Sequence, residues 1–132
     1  MNTSELVEGA RMAAERAYAP YSGFRVGSMV VADDGTQYTG SNVENAAYGS
    51  AICAEGSAIS HAVSSGARKI STVAVACIDA DSVDDAYPCG NCRQLMNEFG
   101  VEKVIVTGGS GEVRDHTLED LLPYGFKLDT GS

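Results

Sequence analysis

The chain has 132 residues, 44% apolar and 20% charged, a length and composition that fit one soluble globular domain spanning residues 1–132. Its formal net charge is −9, with lysine and arginine thinly spread, so it lacks the cationic footprint that binds long nucleic acids. Three prolines and the absence of a long polar tract argue against disorder, and no aliphatic stretch is long enough to span a membrane.

The first predicted element is a helix. Thr3 or Ser4 can cap it, Glu5 stands in its first turn, and Leu6, Ala10, Ala13, Ala14 and Ala17 recur at helical spacing. It should stop before Pro20. Residues 18–25, rich in aromatics, read as a loop. Val26 to Ala32 reads as a strand, Asp33-Asp34-Gly35 as a tight turn, and Thr36 to Asn42 as the returning strand. A second helix is expected from near Cys53 to Gly66. Ile70 to Ile78 is β-branched and apolar on both faces, which suits a buried strand. A third helix follows Pro88 and ends at Gly100. Lys103 to Thr107 forms a strand, Gly108 to Gly111 a turn, and Glu112 to Asp115 a short strand. Thr117 caps a last helix through Leu122, with Asp120 placed for reciprocal capping. The order α-β-β-α-β-α-β-β-α favours an α/β domain around one mixed sheet.

Two segments carry chemistry: Cys53-Ala54-Glu55 and Pro88-Cys89-Gly90-Asn91-Cys92. No apolar signal segment follows Met1, so a cytoplasmic, reducing location is expected, where cysteines serve metals or catalysis rather than disulfides. Cys53, Cys89 and Cys92 supply three soft ligands for Zn2+, and a catalytic zinc keeps its fourth position for water. Both motifs fall at predicted helix N-termini, whose positive end favours thiolate. Glu55, two residues past a ligand, matches the non-ligand glutamate of zinc deaminases, which works as general acid and base. Zinc would lower the pKa of its water toward ~7.

These motifs resemble the small, homotetrameric cytidine deaminases. The likeness runs from Tyr18-Ala19-Pro20-Tyr21-Ser22-Gly23-Phe24, through Val26-Gly27 and Thr39-Gly40-Ser41-Asn42-Val43-Glu44-Asn45-Ala46, to Pro123-Tyr124-Gly125-Phe126. It includes Cys53-Ala54-Glu55 and Pro88-Cys89-Gly90-Asn91-Cys92-Arg93-Gln94. The resemblance implies a three-layer α/β fold with one central mixed sheet flanked by helices. It implies pyrimidine salvage by hydrolytic deamination of cytidine and deoxycytidine. The expected partners are a small-molecule nucleoside and other copies of the chain, with no nucleic acid and no membrane. At matching positions, Asn42 and Glu44 would bind the ribose hydroxyls, and Phe24 would pack on the pyrimidine. Ala54 and Glu55 would meet the polar edge of that ring. Phe126 would reach a neighbouring subunit's site, and Ala46 and Tyr48 could contribute across a boundary. The alternation of Asn42 and Glu44 on an extended segment gives them one face.

One departure from the family is Gly56, where many members carry an arginine that bonds a zinc-bound sulfur. Either helix termini or Arg93 compensate, or the site takes another cytosine nucleoside, such as blasticidin S or a modified cytidine. A third reading is a non-catalytic structural zinc module with Cys77 as fourth ligand. By residue type alone Cys77 is a core hydrophobe. His61 is surface or packing, His116 is local structure, and Asp79, Asp81, Asp84 and Asp85 make a solvated loop.

Overall fold

A computed structural model describes residues 2–129. Helix α1 spans Thr3–Ala14. Its cap is Asn2 rather than Thr3 or Ser4: the Asn2 side chain accepts from the Glu5 amide at 2.9 Å and donates to the Glu5 carboxylate at 3.2 Å. Asparagine is among the strongest caps, and the first turn starts one residue earlier than expected. Ala17 lies beyond the helix end.

Strands β1 (Val26–Ala32) and β2 (Gln37–Ser41) form an antiparallel hairpin closed at Gly35, whose φ of 88° suits glycine. Helix α2 covers Ala54–Ser64 and β3 covers Ile70–Cys77. Helix α3 covers Gly90–Glu98, followed by β4 (Lys103–Thr107) and β5 (Val113–Thr117). Helix α4 is one turn, Leu118–Leu121, closed by the expected Thr117–Asp120 capping box. The short 3-10 turns Tyr48–Ser50 and Val83–Ala86 carry no periodicity that a sequence reading could use.

The five strands form one mixed sheet in the order β2-β1-β3-β4-β5, with β3 and β4 parallel and the other pairs antiparallel. Alternation along the strands sends side chains to two faces. Met29, Ala74, Ala76 and Ile105 meet Leu6 and Ala10 of α1 on one face. Val30, Val73, Val75, Val104 and Val106 meet Ala58, Ile59 and Ala62 of α2 and Met96 of α3 on the other. The result is three layers, α/β/α. None of the described helices is long and apolar enough to cross a membrane.

Two strand glycines set how closely the helices approach. A Cβ at Gly27 would collide with the Ala10 carbonyl and the Ala14 amide of α1, and one at Gly40 with the Ala58 amide of α2. Because α2 lies directly on the hairpin, its N-terminus is carried to the end of the sheet where β1 begins and β3 ends. Val26 and Cys77 pair there. The carboxyl end of a parallel strand is the usual place for a ligand crevice in α/β folds.

Gly27→Val should destabilise the fold by about 3 kcal/mol or more, since backbone, not a flexible side chain, occupies the space. Urea unfolding measures it; an unchanged midpoint would contradict this packing.

Candidate active site

Cys53 and Cys89 are the N-cap residues of α2 and α3, and Cys92 lies in the first turn of α3. Neither cap sulfur bonds its own helix backbone, so both remain available. The Sγ atoms of Cys53, Cys89 and Cys92 all lie within 4.8 Å of one another. Cys92 is buried, whereas Cys53 and Cys89 are exposed. Three soft donors converging from two positive helix ends fit one zinc ion. The thiol of Cys92 hydrogen-bonds Cys53, which lowers the Cys53 pKa to about 6 and raises that of Cys92. One proton is thus held between these two sulfurs in the metal-free chain.

Among the described residues this sulfur group does not include Cys77. Cys77 is packed in the core and its thiol pKa is raised by burial. A closed four-cysteine site is therefore not formed, which removes the basis of the structural-module reading.

Glu55, the second residue of α2, is only 4% exposed and lies outside the sulfur group. Burial pushes its pKa up to about 7, and the charge of Cys53 adds to the shift. A carboxyl poised near neutrality can give and take a proton. Glu55, Ala54, Cys53 and Cys89 line one cavity of about 190 Å³, together with Asn42 at the end of β2.

The other expected substrate contacts are arranged differently in the isolated chain. The Asn42 amide accepts from the Val26 N–H at 2.8 Å and donates to the Phe24 carbonyl at 3.0 Å, tying the loop to the sheet. The Glu44 carboxylate accepts from the backbone amides of Tyr21 and Ser22 and from the Ser22 hydroxyl. That hydroxyl is the main reason its pKa is lowered. Glu44 lines a second pocket of about 280 Å³ with Tyr21 and Tyr48, not the sulfur-lined cavity. Phe24 is 47% and Phe126 65% exposed, both outside the cavity lining. The Phe126 carbonyl accepts from Gln94 and Asn97, so α3 anchors the C-terminal segment. Ala46 and Tyr48 are exposed.

Gly56 is buried, and a Cβ there would meet only Leu95 Cδ1, at 3.6 Å. Arg93 donates to the carbonyls of Pro88 and Leu121 at 2.8 and 2.7 Å. It therefore braces the loop that carries Cys89, and the two helix termini remain as the positive ends directed at the sulfurs.

Several residues escaped the sequence reading. Tyr87 and Asp85 line the cavity. His116, expected to act locally, bonds Tyr87 across the fold at 2.6 Å. Asp79 is not a solvated charge: it receives a fork of bonds from the Arg25 guanidinium and one from the Arg25 amide, fixing the loop before β1. His61 packs edge-on to Tyr38 and reaches the Thr39 carbonyl, as a packing role requires. Tyr87 had a local signal, since it directly precedes Pro88-Cys89. The Arg25–Asp79 fork joins positions 54 apart and had none.

A family model for the cytidine and deoxycytidylate deaminase zinc-binding region matches residues 1–108. A cytidine deaminase of Sporosarcina psychrophila is 41% identical over 131 residues, covering 98% of this chain and 94% of that protein. One from Mycobacterium tuberculosis is 41% identical over 120 residues, covering 91% and 86%. The crystal structure of a cytidine deaminase from Burkholderia pseudomallei superposes with a TM-score of 0.88 at 42% identity, covering 96% of this chain and 100% of that one.

The raised pKa of Glu55 has a consequence for the metal-free fold. Between 4.5, the ordinary glutamate value, and about 7, the folded chain holds a proton that the unfolded chain has lost. Stability is therefore unaffected by Glu55 below that window and falls as pH rises through it. In the metal-free chain Glu55→Gln should raise stability near pH 8 by on the order of 3 kcal/mol and change it little near pH 4. Urea unfolding at the two pH values checks this; an equal effect at both would contradict it.

Proposed function

The chain belongs to the cytidine and deoxycytidylate deaminase family, and we propose that it hydrolyses cytidine and deoxycytidine to uridine, deoxyuridine and ammonia with the help of zinc. The observation that carries this reading is the convergence of three thiols, two of which, Cys53 and Cys89, line one cavity with the buried Glu55 outside the sulfur group. The full-length similarity to cytidine deaminases supports cytosine nucleosides as substrates.

Cys53, Cys89 and Cys92 would hold the zinc, which supplies Lewis acidity and an open position for water. Glu55 accepts a proton from the attacking water and delivers it to the ring nitrogen. It then helps pass a proton to the amino group, which leaves as ammonia. One carboxyl can do both because burial works against its charged form and so favours taking up the proton that it must later release. Ala54, buried at the start of α2, offers backbone to the polar edge of the base.

Asn42 and Glu44 are proposed to meet the ribose. Both sit in the segment that the Asn42 amide and the Ser22 hydroxyl hold in place. Phe24 and Phe126 are proposed to complete the site when copies of the chain associate. Their exposure, with that of Tyr48 (81%) and Leu128 (68%), leaves apolar surface for neighbours in a homotetramer to cover. A thiolate site needs reduced sulfurs, which agrees with a cytoplasmic role in pyrimidine salvage.

Glu55→Gln should retain zinc and lose roughly 10²–10⁴-fold in kcat for cytidine. Metal analysis and the fall in cytidine absorbance test this. A variant near the full rate would remove Glu55 from the mechanism, and a zinc-loaded wild type inactive on every cytosine nucleoside would remove the function.

A further inference from the structure

Tyr87 is the one aromatic side chain among the described residues lining the cavity beside Cys89 and Glu55. It leaves the turn Val83–Ala86 and enters Pro88-Cys89, so the chain carries it past the cavity just before a sulfur donor. Its ring is tied to β5. The Tyr87 hydroxyl and His116 Nε2 share a hydrogen bond of 2.6 Å, and the ring centroids lie 5.3 Å apart at a tilt of 57°. His116 is fixed by the sheet, where it pairs with the buried Val104 of β4.

A second tie runs parallel to the first. Arg114, two residues from His116 and so on the same face of β5, reaches Asp84 at 2.5 Å and Glu112 at 2.9 Å. The edge strand therefore grips the cavity wall at Asp84 and at Tyr87. With its polar tip satisfied by His116, the body of the Tyr87 ring is left as an apolar plate in a cavity otherwise walled by small aliphatic and polar groups. Phe24, the aromatic expected to pack on the base, lies outside that lining.

The geometry points to Tyr87 as a substrate-contact residue that packs against the pyrimidine nucleoside, and to His116 as the positioning residue that holds its ring in the cavity wall. This rests on the nucleoside reading of the same site. Every pyrimidine offers a π-face, and a base packed on an aromatic ring gains affinity without hydrogen-bond readout. The wall so formed acts on binding, while proton transfer belongs to Glu55.

The test uses the zinc-loaded enzyme and the variants Tyr87→Ala, Tyr87→Phe, His116→Ala and His116→Gln. Cytidine kinetics, zinc per chain and calorimetric binding of uridine are measured for each. Tyr87→Ala should raise KM and the uridine Kd about tenfold, with kcat changed less and zinc retained. Tyr87→Phe, which keeps the ring, should lose less. His116→Ala should raise KM about threefold, and His116→Gln, which can still bond the phenol, should restore most of it. Wild-type KM and Kd in Tyr87→Ala would overturn the inference. So would zinc loss in step with activity, since Tyr87 would then be supporting Cys89 rather than touching substrate. A wild type that binds uridine but deaminates nothing would sink the proposed function alone, and the calorimetric comparison would still decide the role of Tyr87.

Discussion

Three thiols held within 4.8 Å of one another make an arrangement that no chain gains from until a cation arrives. Ionised, the sulfurs repel; protonated, they waste donors. The fold imposes the arrangement through the packing of α2 and α3 on one sheet face, where Ile59 and Met96 share a core with Val73, Val75, Val104 and Val106. That core fixes where each helix begins, and each begins on a cysteine. The positive ends of the two helices then reduce the cost of negative sulfur. The depressed pKa of Cys53 and the raised pKa of Cys92 are the metal-free signature of the same crowding.

The same helix start accounts for the glutamate. With Cys53 as N-cap, Glu55 falls in the first turn, beside the sulfurs yet turned into the protein. It could gain from the helix dipole if ionised, but burial outweighs this and holds its pKa near 7. One structural decision, the register of α2, therefore sets both the donor group and the proposed proton carrier. Gly40, which lets α2 lie against the hairpin, belongs to that decision although it is remote from the chemistry.

Much of this was legible in the residues. β1 and β4 fall where β-branched runs and flanking glycines put them, and the Thr117–Asp120 capping box was visible as a pattern. The sulfur and glutamate positions were legible because ligand spacing and helix caps are local. What stayed hidden was long-range or shared. Asn2 won the first cap over two equally plausible neighbours. His116 and Tyr87 meet only because β5 pairs with β4 in one particular register. Asp79 looked like one charge in an acidic loop until folding brought Arg25 to it. Glu44 and Phe24 were read from the family resemblance, and in the fold Glu44 binds its own loop while Phe24 is exposed.

The most direct measurement is X-ray absorption at the zinc edge on the purified protein, combined with metal content. The expected result is one zinc per chain with three sulfur neighbours at about 2.3 Å and one lighter atom, oxygen or nitrogen, in the remaining position. A shell of four sulfurs would mean a closed site in which Cys77 has been recruited. That result, or a protein that binds no zinc, would contradict the open three-sulfur centre on which the proposed chemistry depends.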